Sequence, residues 1–208
     1  MTSHLDLSTI HLEKGAHHTR DSGVCLLEAV AWFAGREHSD HPFCVSPVLG
    51  TFGRAWNDAL GDSTRQQLIP YIPRMVGTAN DGADEARAWL LTDWLARIYA
   101  PAFLRTAGLT EQAQQLESAP PITAPESAAS LQRTLDMAAV AANAAWDAAW
   151  DAAKAAARAA AGAAARAAAK AVARDAAGDA LKPTVKRLQE SAFDLLGKLC
   201  DAGRTLTA

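Results

Sequence analysis

The chain has 208 residues, with 20 Lys and Arg against 23 Asp and Glu and a net charge of −3. So mild a balance selects neither nucleic acid nor an acidic partner, and no apolar run reaches the roughly 18 uncharged residues that a membrane span needs. Half the residues are hydrophobic, but alanine inflates the figure. Four of the six tryptophans fall by Trp94, so the expected core is N-terminal. The three cysteines, Cys25, Cys44 and Cys200, come without a basic segment leading into an apolar one. That fits reduced thiols in a cytoplasm.

In chain order, Leu5, Leu7, Ile10 and Leu12 alternate weakly and predict a short strand or an extended arm. Asp21 or Ser22 then caps a helix over Val24–Ala34, ended by Gly35. Nearly every position in it is apolar, which predicts a central buried helix with Glu28 as its only charge. Ser46-Pro47 opens a second helix that runs to about Leu60 and Gly61. Ser63 and Gln66 form a capping-box pattern that opens a short third helix before Pro70. The proline-punctuated IPYIPRMVGT reads as irregular. Asp81 or Asp84 caps a fourth helix to Tyr99, with Trp89, Leu90, Trp94, Leu95 and Ile98 inward and Asp93 paired with Arg97. Pro101 bends or restarts that helix, and Thr110 caps a fifth to Glu117.

SAPPITAPES, residues 118–127, reads as a linker. The domains implied are 1–117, the linker 118–127, and 128–208. The last of these holds the alanine array from Met137 to Leu181. Alanine is the best helix former, and no proline interrupts the array. A helix from Pro125 to the residue before Pro183 would be about 85 Å long at 1.5 Å per residue. It must project, fold back near Gly162 or Gly178, or pack on another copy. Trp146, Trp150, Lys154, Arg158, Gly162, Arg166, Lys170 and Arg174 recur every four residues, so the marked stripe winds around the rod. No fixed apolar face forms for a membrane surface. From Asp151 onward ten Lys and Arg outnumber six Asp and Glu, but dispersed around the rod they make no nucleic-acid patch. Trp146 and Trp150, one turn apart, are the expected docking point onto the N-terminal part. After Pro183 a last amphipathic helix carries Val185, Leu188, Leu195, Leu196 and Leu199.

The candidate chemistry lies in the first 44 residues. His38-x2-His41-x2-Cys44, with Cys25 on the preceding helix, has a spacing and ligand types that zinc accepts. The alternative is a loop histidine capping the next helix and two cysteines buried as small hydrophobes. Cys25, near a helix start, is also a candidate nucleophile, with His38 or His41 as base oriented by Asp40. Glu28, an acid among apolar residues, needs a partner, and Arg36 or His38 could supply it. There is no glycine-rich phosphate loop, HExxH or G-x-S-x-G.

LDLSTIHLEKGAH, GVCLLEAVAWFAGREHSDHPFCVSPVLGTFGRAWND, IPRMVGT and the AWDAAWDAA array resemble a group of actinobacterial and actinophage proteins. This resemblance brings no activity or catalytic residue with it. By composition the array is also similar to that of Imm-5-like immunity proteins, which would imply a cytoplasmic protein that binds and neutralises a partner. The expectation is an all-α, non-enzymatic interaction protein without a cofactor, binding a protein partner or itself through the array or the last helix. The alternative is a metal- or cysteine-dependent hydrolase, with zinc or a thiolate at Cys25, His38, His41 and Cys44.

Overall fold

The computed structural model describes residues 5–159 and 163–204; the side chains of Trp146, Ala149, Trp150 and 152–177 lie outside the description. The docking expectation for the two tryptophans therefore falls outside it too. The fold is all-α, with no strand among the described residues. The chain divides into two units, Met1–Leu90 with Phe193–Ala208, and Leu91–Ala192.

In the first unit residues 5–19 form an arm without regular helix or strand, with a turn at Leu7–Thr9. Leu5 and Leu12 are buried, and the arm is pinned by side chains of later helices. Gln66 accepts from the Leu12 N–H (2.8 Å) and donates to its carbonyl (2.9 Å). Asn57 donates to the Glu13 carbonyl at 2.9 Å, and Asp58 accepts from Gly15 N–H at 2.8 Å. Gln66 is thus spent on the arm, not on Ser63. A 3-10 turn, Arg20–Ser22, follows. Helix α1 is Leu26–Phe33, starting two residues later than its apolar run suggests, because Cys25 is its cap. Helix α2, Pro47–Ala59, has Ser46 Oγ accepting from Leu49 N–H at 3.3 Å and proline at its first position. Helix α3 is Asp62–Arg65, a 3-10 turn covers Gln66–Tyr71, and helix α4 is Ile72–Met75. Helix α1 packs on α2 and α4. The core is Leu26, Leu27, Val30, Leu49, Leu68, Ile72 and Met75, joined by Leu195, Leu196 and Leu199 from the other end of the chain. Phe193 lies 5.9 Å edge-on from Trp56 and 6.2 Å from Tyr71.

Helix α5 is Asp84–Trp94, followed by a π turn at Leu95–Tyr99 and helix α6 at Ala100–Thr106. The Ala100 N–H reaches Leu95 O, five residues back. Pro101 has no N–H to donate, and the wider turn accommodates it. The extra residue shifts the helix phase. Leu95 and Ile98, expected inside, are exposed, while Ala96, Pro101 and Leu104 are buried. Asp93 pairs with Arg97 at 3.2 Å, as the i,i+4 spacing predicts, and its carboxylate also accepts from Ile122 N–H at 2.8 Å.

Helix α7 is Thr110–Glu117 and helix α8 is Pro125–Ala159. The segment 118–127 lies inside the second unit, and its Ile122 is buried. Proline at the first position starts α8, and Ser127 Oγ reaches back to the N–H groups of Thr123 (3.0 Å) and Ala124 (3.1 Å). Helix α9 is Ala163–Asp201 and runs through Pro183, which was expected to end it. A proline in a helix leaves the carbonyl four residues earlier, here Asp179, without its donor and costs about 3 kcal/mol. Burial of Leu188, Ala192, Leu195, Leu196 and Leu199 offsets that cost. No helix among the described residues is long and apolar enough to cross a membrane.

Candidate functional site

Burying the Glu28 carboxylate places a charge among apolar side chains, and each of its lone pairs then needs a donor. Its side chain is 1% exposed. Oε1 accepts from the His17 backbone N–H at 2.6 Å. Oε2 accepts from the Cys25 N–H at 2.8 Å, closing the helix cap, and from His17 Nδ1 at 2.8 Å. A carboxylate only accepts, so His17 carries its proton on Nδ1, which leaves Nε2 facing Glu13 Oε2 at 3.6 Å. His38 Nε2 donates to the His17 carbonyl at 2.9 Å and lies 3.5 Å from Glu28 Oε1, while its buried Nδ1 has no hydrogen-bond partner among the described residues. One acid thus fastens the arm, the first turn of α1 and the loop after α1.

Gly23 makes room for this cluster. A Cβ there would come 2.6 Å from His17 Cδ2 and 2.7 Å from Nε2, and φ is +124°. Both the contact and the backbone select glycine. Beside it lies a recess of about 330 Å³ between Leu5, Ile10, Glu13, Arg20 and Trp32.

Burial pushes the Glu28 pKa up, but the N–H groups of His17 and Cys25 and the His17 ring outweigh it, so the net shift is downward from 4.5. A depressed native value means the unfolded chain takes the proton first. The stabilisation is complete above the ordinary carboxylate range and is lost as pH falls through it. Asp81, held low by its hydrogen bonds to Arg87, adds to the same trend. Thermal unfolding followed by circular dichroism should be flat toward pH 5 and fall steeply below about pH 4. Glu28→Gln should make that fall shallower, and an unchanged slope would mean the carboxylate is not the acid-sensitive group.

The four candidate ligands do not meet at one point. Cys25 and His38 both adjoin Glu28. His41 is exposed, with Nδ1 2.8 Å from Asp40 Oδ1. Cys44 is half-buried and offers its carbonyl to the N–H groups of Gly77 and Ala79. Among the described residues no group of three or more His, Cys, Asp or Glu is gathered at metal-binding spacing. Cys25 is 3% exposed, and its thiol is pushed up to about 12, chiefly by burial. It caps α1 as a neutral thiol, and a thiolate is what nucleophilic attack requires. Asp40 bonds His41, which is exposed, whereas Cys25 is buried at the start of α1. Glu28 takes His38, one of its two expected partners. Arg36 lies instead over the Phe43 ring, 6.0 Å from its centroid.

His17 is the residue that pattern reading missed. Its only sequence trace is the i,i+4 step from Glu13, which carries no meaning until the arm is seen folded on α1. Comparison with models of protein families, with curated protein sequences and with solved structures returned no match.

Proposed function

We propose that the chain is a non-enzymatic protein-binding protein whose contact surface lies on its second unit. One observation carries this reading. Of the eight exposed large hydrophobic residues among those described, seven (Leu95, Ile98, Tyr99, Phe103, Met137, Val140 and Val185) belong to that unit. Scattered exposed apolar residues are ordinary, but their concentration in one unit supports placing an interaction surface there. The Tyr99 and Phe103 rings lie 5.0 Å apart, tilted at 53° to each other, and form an aromatic pair of the kind that anchors protein interfaces. The fully hydrogen-bonded Glu28 and the protonated Cys25 point the same way, since both serve the fold.

The test is a photo-crosslinking amino acid in place of Tyr99 or Phe103, in cells that make the chain. A discrete adduct with protein is expected, absent when the same probe replaces exposed Thr51 of the first unit. No adduct from either second-unit position would overturn the reading.

A further inference from the structure

Helix α8 has an inner and an outer face. The inner face buries Leu131 and Ala138 and half-buries Thr134, Leu135, Ala141 and Ala142. The outer face exposes Arg133, Asp136, Met137, Val140, Asn143, Ala144 and Asp147. At its centre Val140 is 70% and Met137 60% exposed, the two large apolar side chains of a stripe whose other members are polar or alanine.

Two opposite charges flank that pair symmetrically. Arg133 and Asp147 stand seven residues before and after Val140. Seven residues are two helical turns to within about 20°, so all three lie on one line. Consider a two-fold axis through Val140, perpendicular to the helix. It sets each residue opposite the one equally far beyond Val140 in the second copy. Arg133 then faces Asp147 at both ends, Met137 faces Asn143, and Asp136 faces Ala144. No like charges meet. A parallel pair would set Arg133 against Arg133 and Asp147 against Asp147. Neither Arg133 nor Asp147 has an ion pair within its own chain among the described residues. Ala144 and Ala148 keep the outer face low enough for close approach of two helices.

We propose that α8 is a self-association helix, pairing antiparallel with α8 of a second copy. Val140 lies on the axis, Met137 is buried beside it, and an Arg133–Asp147 pair closes each end. The interface is isologous, as a two-fold requires. The inference rests on the protein-binding reading of the second unit and names its partner as another copy of this chain.

The test is sedimentation velocity of the full chain over a concentration series. A dimer is expected. Val140→Glu should raise its dissociation constant by about a hundredfold or more, with helical content unchanged, because a carboxylate would sit against its own copy. Arg133→Asp and Asp147→Arg, each alone, should weaken the dimer about tenfold or more by opposing like charges, and the two together should restore it. Failure of the double exchange to restore it would overturn the antiparallel register. A dimer indifferent to all of these would overturn the use of α8. A monomer at every concentration that still yields the Tyr99 and Phe103 adducts overturns the two-fold pairing alone. A monomer without adducts overturns the binding reading as well.

Discussion

Arg87→Met is expected to lower the unfolding free energy by about 3–5 kcal/mol, the largest effect of any single exchange in the first unit. The Arg87 side chain is fully buried. Its Nε donates to the Leu199 carbonyl at 2.9 Å, and Nη1 donates to the Thr78 carbonyl at 3.2 Å and to Asp81 at 2.7 Å. Nη2 donates to the other Asp81 oxygen, and Asp84 lies 3.3 Å from Nη1. Asp84 in turn accepts from the Ser46 hydroxyl at the start of α2. One guanidinium therefore joins α2, the loop before α5 and the last turns of α9. Methionine matches the length of the stem but removes the guanidinium donors of two carbonyls and of Asp81, which keeps only its bond from the Ala83 N–H among those described. Urea unfolding followed by tryptophan fluorescence checks this, and a loss under about 1 kcal/mol would mean that water repairs the gap. Arg87→Lys should recover only part of the loss, because an ammonium cannot span Asp81 and Leu199 in one plane.

Glu28→Ala should cost about 3–4 kcal/mol, since it strands the buried N–H groups of His17 and Cys25 and the His17 ring proton together. Glu28→Gln keeps one acceptor oxygen and should cost less, about 1–3 kcal/mol. The same urea experiment ranks the two. Hydrogen exchange adds a readout that a uniform loss of stability would not give: the amides of His17 and Cys25 should lose protection well before those at the centre of α1. Equal loss across α1 would mean that Glu28 supports the whole helix and not the arm.

Much of this was legible because the signals are local. Ser46-Pro47 starts α2 by capping chemistry that needs no tertiary partner, and Pro125 starts α8 in the same way. The need of Glu28 for a partner was also legible, because a lone acid in VCLLEAVAWFA has nowhere polar to go. Half the answer, His38, was within reach from the adjoining loop. The other half was not, because His17 sits on an arm whose only regularity is a weak alternation. Arg87 was hidden for a different reason. On a helix that begins DEAR it reads as a solvated charge, and its burial depends on a carbonyl more than a hundred positions away. Leu95 and Ile98 were misassigned because a constant 3.6-residue period cannot register the added residue of a π turn. Pro183 was read as a stop because proline is a strong local signal, and burial further along α9 overrides it.

The first unit takes its floor from both extremes of the described chain. During synthesis the segment to Leu90 leaves the ribosome without Phe193, Leu196 or the Leu199 carbonyl, and all of Leu91–Ala192 is made before those arrive. For that interval the arm, α1 and α2 have an open apolar side and an arginine short of an acceptor. Closure across so long an intervening segment is slow compared with local helix formation. The second unit, contiguous in sequence, has no such wait. The first unit therefore cannot complete its core until Phe193–Leu199 are in place.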